Sequence, residues 1–176
     1  MPSLRDLGVF WGYAPPAYPQ IETEMCLNEM RRAADGLNIR LRTWLNRDQR
    51  ELDANLAEAA KPPLQAMFLT AGGPQSTPEG IAKVAAFCES RRLPAVADIN
   101  SAMFRAAGIL AHSPDINELA MRGASFVDRI LRGAKPGELP IEHPTRYQLY
   151  VNAKRAKAVG VKIPASILAR ADRMIE

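Results

Sequence analysis

The feature that most restricts how this chain can fold is an alternation: short apolar runs of strand length, separated by helix-patterned segments, recur through the first two thirds of its 176 residues. Parallel neighbours in a sheet must be joined by long crossovers, so this order predicts a parallel sheet layered between helices. Leu7 to Trp11 reads as the first strand. Ile21 to Ala34 follows as a helix with Ile21, Met25, Met30 and Ala34 near one face, stopping at Gly36. Ile39 and Leu41 alternate with Arg40 and Arg42, which predicts a second strand with one wet face, toward an edge of the sheet. Asp48 with Glu51 resembles a capping box, and Leu52 and Leu56 point inward from the helix it opens.

Ala66 to Leu69 is apolar at every position and predicts a central third strand, ending in TAGGPQSTPEG. Thr77 and Pro78 suit the N-cap and first position of a helix with Ile81, Val84, Ala85 and Cys88 inward. Pro94 to Ala97, a helical turn at Ser101 to Ala106, and Ile109 to Ala111 give strand four, a short crossover and strand five. A long helix from Asp115 to Arg132 then carries Leu119, Gly123, Phe126, Val127 and Ile130 as an apolar stripe. GAKPGELPIEHP is a Pro-rich connector, YQLYV a short strand, and Asn152 to Val159 a helix closed by Gly160. Pro164 opens a final helix. The fold expected is a three-layer, Rossmann-like lobe with a mostly parallel five-stranded sheet over residues 1–112. Residues 113–176 supply a crossing helix, a connector and a C-terminal strand and helices.

The formal charge of +4 is concentrated in the tail, where seven Lys or Arg stand against two Asp or Glu from Arg146 onward. Lys154, Arg155, Lys157 and Lys162 read as a solvated helix face rather than a nucleic-acid surface. No apolar run approaches the roughly 20 residues of a membrane-spanning helix. The opening MPSLRDLGVF has no apolar signal stretch, so no export signal is expected in it. Cys26 and Cys88 fall inside helix-like stretches, as small hydrophobes rather than a redox or metal pair.

In open parallel α/β sheets ligands sit outside the carboxyl ends of the strands, so the loops there are the candidate site. They hold Gly12, Tyr13 and Ala14 after strand one, Gly72, Gly73 and Gln75 after strand three, Asp98 and Asn100 after strand four, and His112 and Ser113 after strand five. AGGPQSTPEG lacks the Gly-Lys-Ser/Thr of a P-loop and does not fit GxGxxG, so it predicts close backbone approach to a ligand rather than a phosphate cradle. No nucleophile with a base, carboxylate pair or metal cluster assembles. His112 and His143 have no acid or Cys at ligand spacing, and no catalytic residue, metal or cofactor is expected.

The C-terminal third is more specific. Arg132-Gly133-Ala134-Lys135-Pro136 ends a helix, Leu139-Pro140-Ile141-Glu142 and Pro144-Thr145 form the connector, and Asn152 ends a strand. Ile163-Pro164-Ala165-Ser166-Ile167-Leu168-Ala169-Arg170-Ala171-Asp172 follows near the terminus. This order closely resembles substrate-binding proteins of ABC transporters, in the group with tryptophan-type binders and many of unassigned ligand. GILAHSPDINELAMRGASFV is similar to the segment with which such proteins leave their second lobe.

The resemblance implies a type I periplasmic binding protein, two α/β lobes closing by a hinge on a small organic solute and presenting it to a membrane permease. This chain corresponds to the second lobe and tail, and the first lobe and export signal are expected to be missing. Gly72, Gly73 and Gln75 match a ligand-approaching loop by position. Gly12, Tyr13 and Ala14 stand where the family usually has Asn or Ser, and His112 and Ser113 replace a Tyr-Gly-like pair. The stripe from Asp115 to Arg132 would then lack its usual support, which predicts a homodimer or exchange of that segment between copies. Periplasmic location follows from the resemblance, with a cytoplasmic one open. The alternative is an orphan lobe, serving as a dimeric interaction module or a cytosolic ligand sensor.

Overall fold

The computed structural model of the chain describes residues 4–12, 20–97 and 101–176. Strand β1 (Asp6–Gly12) is followed by α1 (Gln20–Gly36), β2 (Arg40–Asn46), α2 (Gln49–Ala59) and β3 (Ala66–Leu69). A 3-10 turn, Pro74–Ser76, leads into α3 (Pro78–Ser90), then β4 (Ala95–Ala97), α4 (Ala102–Ala106) and β5 (Leu110–Pro114). Beyond them lie α5 (Ile116–Leu131), β6 (Tyr147–Asn152), α6 (Ala153–Ala158), α7 (Ala165–Leu168) and β7 (Arg173–Ile175).

The seven strands among the described residues form one sheet in the order β2-β1-β3-β4-β5-β6-β7. β1 to β5 are mutually parallel, as the alternation predicted. The expected five strands become seven because β6 adds antiparallel to β5 and β7 adds parallel to β6. The final helix expected after Pro164 is likewise shorter, closing at Leu168 and yielding to β7. Its helix-favouring sequence is overridden by tertiary pairing: Asp172 N–H donates to Leu149 C=O at 2.9 Å, and Leu149 N–H donates to the Asp172 carboxylate at 2.8 Å.

The larger of two core clusters lies on one face of the sheet, the smaller gathering Ile109, Ala156 and Val159. Phe10, Met67, Leu69, Ala95, Ala97 and Ala111 point into a cluster with Leu52, Val84, Cys88, Met103 and Phe104. Thus α2, α3 and α4 share that face, as right-handed crossovers moving steadily from β2 toward β5 require. The reverse step from β1 to β2 places α1 on the other face by the same rule. Of the residues expected inward on α1, Ala34 is buried but Met25 is 64% exposed, and Cys26 is exposed rather than a packed hydrophobe. Cys88 is buried as expected, and burial pushes its thiol up to about 12, outweighing the opposing charge of Arg155.

Local chemistry explains the helix starts. Asp48 accepts the Glu51 N–H at 2.8 Å while the Glu51 carboxylate reaches back to Arg47 N–H at 2.9 Å. Thr77 caps α3 through Gly80 N–H at 3.1 Å, ahead of Pro78, whose missing N–H costs nothing there. Asp115 caps α5 through the N–H groups of Asn117 and Glu118. No described helix is long and apolar enough to cross a membrane.

Candidate functional site

The carboxyl rim of the sheet is not level. In register, Leu69 lies beside Phe10 and Ala97, and Val96 beside Leu110. β1 therefore runs two residues past the end of β3. β5 runs on to Pro114, held up by β6 through the pairs His112 with Leu149, Ser113 with Gln148 and Pro114 with Tyr147. A ribbon about 10 Å tall, at roughly 3.3 Å per residue, thus stands beside the low ends of β3 and β4. At the β1 side of the trough between β1 and this ribbon lies the switch point, where crossovers leave β1 and β3 in opposite directions, the usual ligand position in such sheets.

The floor of the trough is a loop with little freedom. Gly12 is buried at the end of β1, and a Cβ there would overlap the Gly72 carbonyl and the Gln75 side chain. Its N–H donates to Thr70 Oγ1 at 3.4 Å, and the Thr70 hydroxyl donates to Phe10 C=O at 3.2 Å. Gly72 has φ 95°, and Gly73, at φ 64° and ψ −164°, occupies a region that only glycine tolerates. Ser76 Oγ both accepts from Gly72 N–H at 2.9 Å and donates to Gly72 C=O at 3.2 Å. The Pro74 carbonyl accepts from Thr77 N–H, the Thr77 hydroxyl and Gln49 Nε2, at 3.2, 2.8 and 3.1 Å. α3 approaches this carbonyl so closely that Gly80 has no room for a Cβ.

A cleft of about 70 Å³ opens above this loop, lined by Leu69, Thr70, Ala71, Ser76, Ile81, Ser101, Ala102 and Met103. The described lining is hydroxyl and hydrocarbon, with no charged side chain. The N-terminus of α3 offers little to an anion: Thr77 takes the Gly80 N–H, Pro78 has none, and Glu79 adds negative charge. Glu79 and Asp53 are bonded to Lys83 at 2.8 and 2.6 Å; the two hydrogen bonds, Asp53 first, raise the Lys83 pKa.

The residues predicted from sequence divide accordingly. Gly12, Gly72 and Gly73 meet at the rim and form the loop under the cleft. Gln75 is fully buried beneath Gly12, with Nε2 3.5 Å from Thr70 C=O and Oε1 without a partner, so it supports the loop from below. His112 and Ser113, expected in a loop after β5, lie within the strand because β6 pairs with it. His112 is exposed, its ring stacked on Tyr147 with centroids 5.4 Å apart. Tyr13, Ala14, Asp98 and Asn100 lie outside the described residues. Sequence reasoning missed Thr70, Ser76 and Ser101, the hydroxyls that line the cleft. Ser76 was legible as a neighbour of the double glycine, whereas Ser101 signals only a helix cap. Among the described residues no group of three His, Cys, Asp or Glu is placed to hold a metal.

The fold as a whole has counterparts among known proteins. The sequence matches the family model for ABC transporter substrate binding proteins over residues 1–175. The chain belongs to this family. No curated protein matches it. Among solved structures, a conserved domain protein from Vibrio cholerae superposes with TM-score 0.79 at 19% identity, over 99% of this chain and 56% of the other. An ABC domain from Streptococcus pneumonia in complex with L-Trp gives TM-score 0.79 at 18% identity, over 99% and 57%. A ligand-free, open substrate binding protein with adhesive properties from Clostridium difficile gives 0.73 at 11%, over 99% and 55%. At these identities the likeness shows the fold, and this ABC substrate-binding family member spans little more than half the length of each.

Proposed function

We propose that the chain supplies one wall of a cleft that binds a small organic solute, such as an amino acid or aromatic compound, for delivery to an ABC permease. The observation that carries this reading is the trough over β3 and β4. It adjoins the switch point, is floored by backbone held rigid from several sides, and holds a cleft that at about 70 Å³ is far below the roughly 300–1,000 Å³ of a pocket that encloses a ligand. A depression of that size serves as a face against which a solute is held from the opposite side. Thr70, Ser76 and Ser101 line this face over the loop built by Gly12, Gly72 and Gly73, and Tyr13, Ala14, Asp98 and Asn100, which lie outside the described residues, stand as further candidates from the sequence. Residues 1–112 act in this reading as the binding lobe and 113–176 as the segment that links it to its counterpart. Family membership supports a periplasmic site of action, and the Streptococcus pneumonia relative's complex with L-Trp supports an aromatic amino acid among the candidates. The wall performs no chemistry on the solute.

Thermal-shift titration with L-Trp, other amino acids, aromatic acids and sugars tests the reading. A ligand at about 100 times its Kd adds about 2.7 kcal/mol to stability, which raises Tm by roughly 5–11 °C in a chain of this size. Ser76→Trp, which fills the cleft from an exposed position, is expected to abolish the shift. A shift that survives this substitution places the ligand elsewhere and refutes the assignment.

A second reading, an orphan lobe working as a dimeric interaction module or a cytosolic sensor, is favoured by one observation: the apolar face of α5 is uncovered.

A further inference from the structure

The lysines of the chain divide at β6. Ahead of it, Lys61 holds Glu58 at 2.6 Å, Lys135 holds Glu138 at 3.3 Å, and Lys83 is bonded to both Asp53 and Glu79. Beyond it, Lys154, Lys157 and Lys162 are exposed and hold no carboxylate among the described residues. The acids within reach of this region are already engaged: Asp172 accepts from Leu149 N–H at 2.8 Å, and Glu89 is held by Arg155 at 3.0 Å.

Two of these lysines border a groove. It runs between α6 and α7, is open to solvent and holds about 410 Å³, with Lys157 and Lys162 beside Ala153, Ala156, Val161, Ile163 and Leu168. That volume falls within the roughly 300–1,000 Å³ of sites that seat small organic ligands, and no acidic side chain lines it. Its shape is set by packing: Ala156 and Val159 are buried with Ile109, and Val161 and Ile163 rest against them. The groove also lies away from the trough. The chain leaves the carboxyl rim after Pro114 and returns to it at Tyr147, its pairing partner, but β6 then carries it to the amino end of β5. There Asn152 N–H donates to Ile109 C=O at 2.9 Å and α6 begins. A second wall set over the trough leaves the groove open.

We infer that this groove binds a small amphipathic organic anion, its hydrocarbon body against Ala153, Ala156, Ile163 and Leu168 and its anionic head on Lys157 and Lys162. The lining sheds water onto a hydrocarbon but offers no hydrogen-bonding side chain other than the two ammonium groups, so a neutral polar ligand has nothing to hold it. An anionic head meets two cations that no carboxylate of the chain neutralises, and bonds to them are charge-assisted. The recess between two helices suits a single free molecule, whereas a bilayer presents a plane. The groove shares no residue with the trough, so this site stands apart from the solute-binding reading.

Amide chemical shifts of the isotope-labelled 176-residue chain, titrated with sodium octanoate, test it. Saturating shifts are expected between Ala153 and Leu168, with a Kd of about 0.1–1 mM, the order set by so few ligand atoms, and binding is expected to weaken as salt rises. 1-Octanol, the same chain without the charge, is expected to bind about tenfold more weakly. Lys157→Gln combined with Lys162→Gln is expected to weaken octanoate by about tenfold while leaving thermal unfolding unchanged, because both side chains are exposed and unpaired. Lys157→Arg with Lys162→Arg is expected to keep the binding. Ser76→Trp, which fills the cleft over β3, is expected to leave octanoate binding unchanged, so the two sites fail separately. Absence of shifts by about 5 mM, shifts centred on α5 or on the trough, equal affinity for 1-octanol, or undiminished binding by the Gln pair each overturns the inference. Attachment to phosphatidylglycerol vesicles in place of octanoate binding overturns it in favour of a membrane contact.

Discussion

Gly12→Ala is the substitution for which the structure gives the most definite energy. The added Cβ meets the carbonyl of Gly72 and the amide of Gln75, both pinned: Gly72 by Ser76 through two hydrogen bonds, and Gln75 by complete burial. Because the obstacle includes backbone, relief requires moving the β3 loop rather than turning a side chain. Overpacking of this kind costs about 1–3 kcal/mol, and the loop's rigidity places the cost in the upper half. Alanine also restricts the unfolded chain, which returns about 0.4–1 kcal/mol. The net expectation is a loss of about 2 kcal/mol, or roughly 4–8 °C in Tm for a chain of this length. Gly36→Ala is the control, since nothing lies within 4 Å of its Cβ and it ends α1. It is expected to be neutral or to stabilise by up to about 1 kcal/mol. Urea denaturation followed by far-UV circular dichroism measures both, with equal m-values required for the comparison. A Gly12→Ala variant within about 0.5 kcal/mol of the parent would show that the β3 loop yields, and the argument that it forms a fixed floor would fail.

Other perturbations probe separate parts of the molecule. Hydrogen bonds from Thr145 first, then Arg146 N–H, together with the charge of Arg122, hold the Glu118 carboxyl below its ordinary value of 4.5 against a smaller opposing effect of burial. The folded chain thus binds that proton less tightly than the unfolded one. The stabilisation is complete above the ordinary value and is lost as pH falls through the lowered one. Unfolding measured through this acid range is expected to show a shallower decline in Glu118→Gln than in the parent. Asn152, fully buried, donates to the carbonyls of Phe104 and Arg105 at 3.3 and 3.4 Å and caps α6 through Arg155 N–H at 3.0 Å. Asn152→Ala leaves those groups without partners and is expected to cost about 2–3 kcal/mol in denaturant unfolding. With a thiol-reactive chromophore at neutral pH, Cys26 is expected to react in the native chain. Cys88, its thiol pushed up to about 12, is expected to react only after denaturation, so two native equivalents would contradict the burial.

Sequence carried the parallel part of the fold because its signals there are local. Alternating apolar runs fixed β1 to β5, and Asp48, Thr77 and Asp115 marked their helix starts through short side-chain-to-backbone bonds. The antiparallel return was not legible as sheet, because what lengthens β5 to Pro114 is pairing with residues more than 30 positions away. Likewise, Arg173 to Ile175 continues a helix-favouring stretch, and only Asp172 bonding to Leu149 turns it into a strand. At the site, the glycines were readable because φ values near 64° and 95° demand them. The inward turn of Gln75 was not, since a polar residue beside a glycine pair gives no sign of which way its side chain points. Met25 misled for a related reason: helical spacing identifies a face but not whether anything packs on it.

The margins of the sheet bear on how copies of this chain avoid one another. On one side β2 presents Arg40 and Arg42, both drawn toward Asp6, at 3.4 and 3.2 Å. On the other, β7 is three residues long, and the Arg173 guanidinium lies over the Tyr150 ring. Brief or cationic borders are poor templates for an incoming strand. The chain therefore resists growth into fibrils by strand addition, and concentrated preparations are expected to remain free of amyloid.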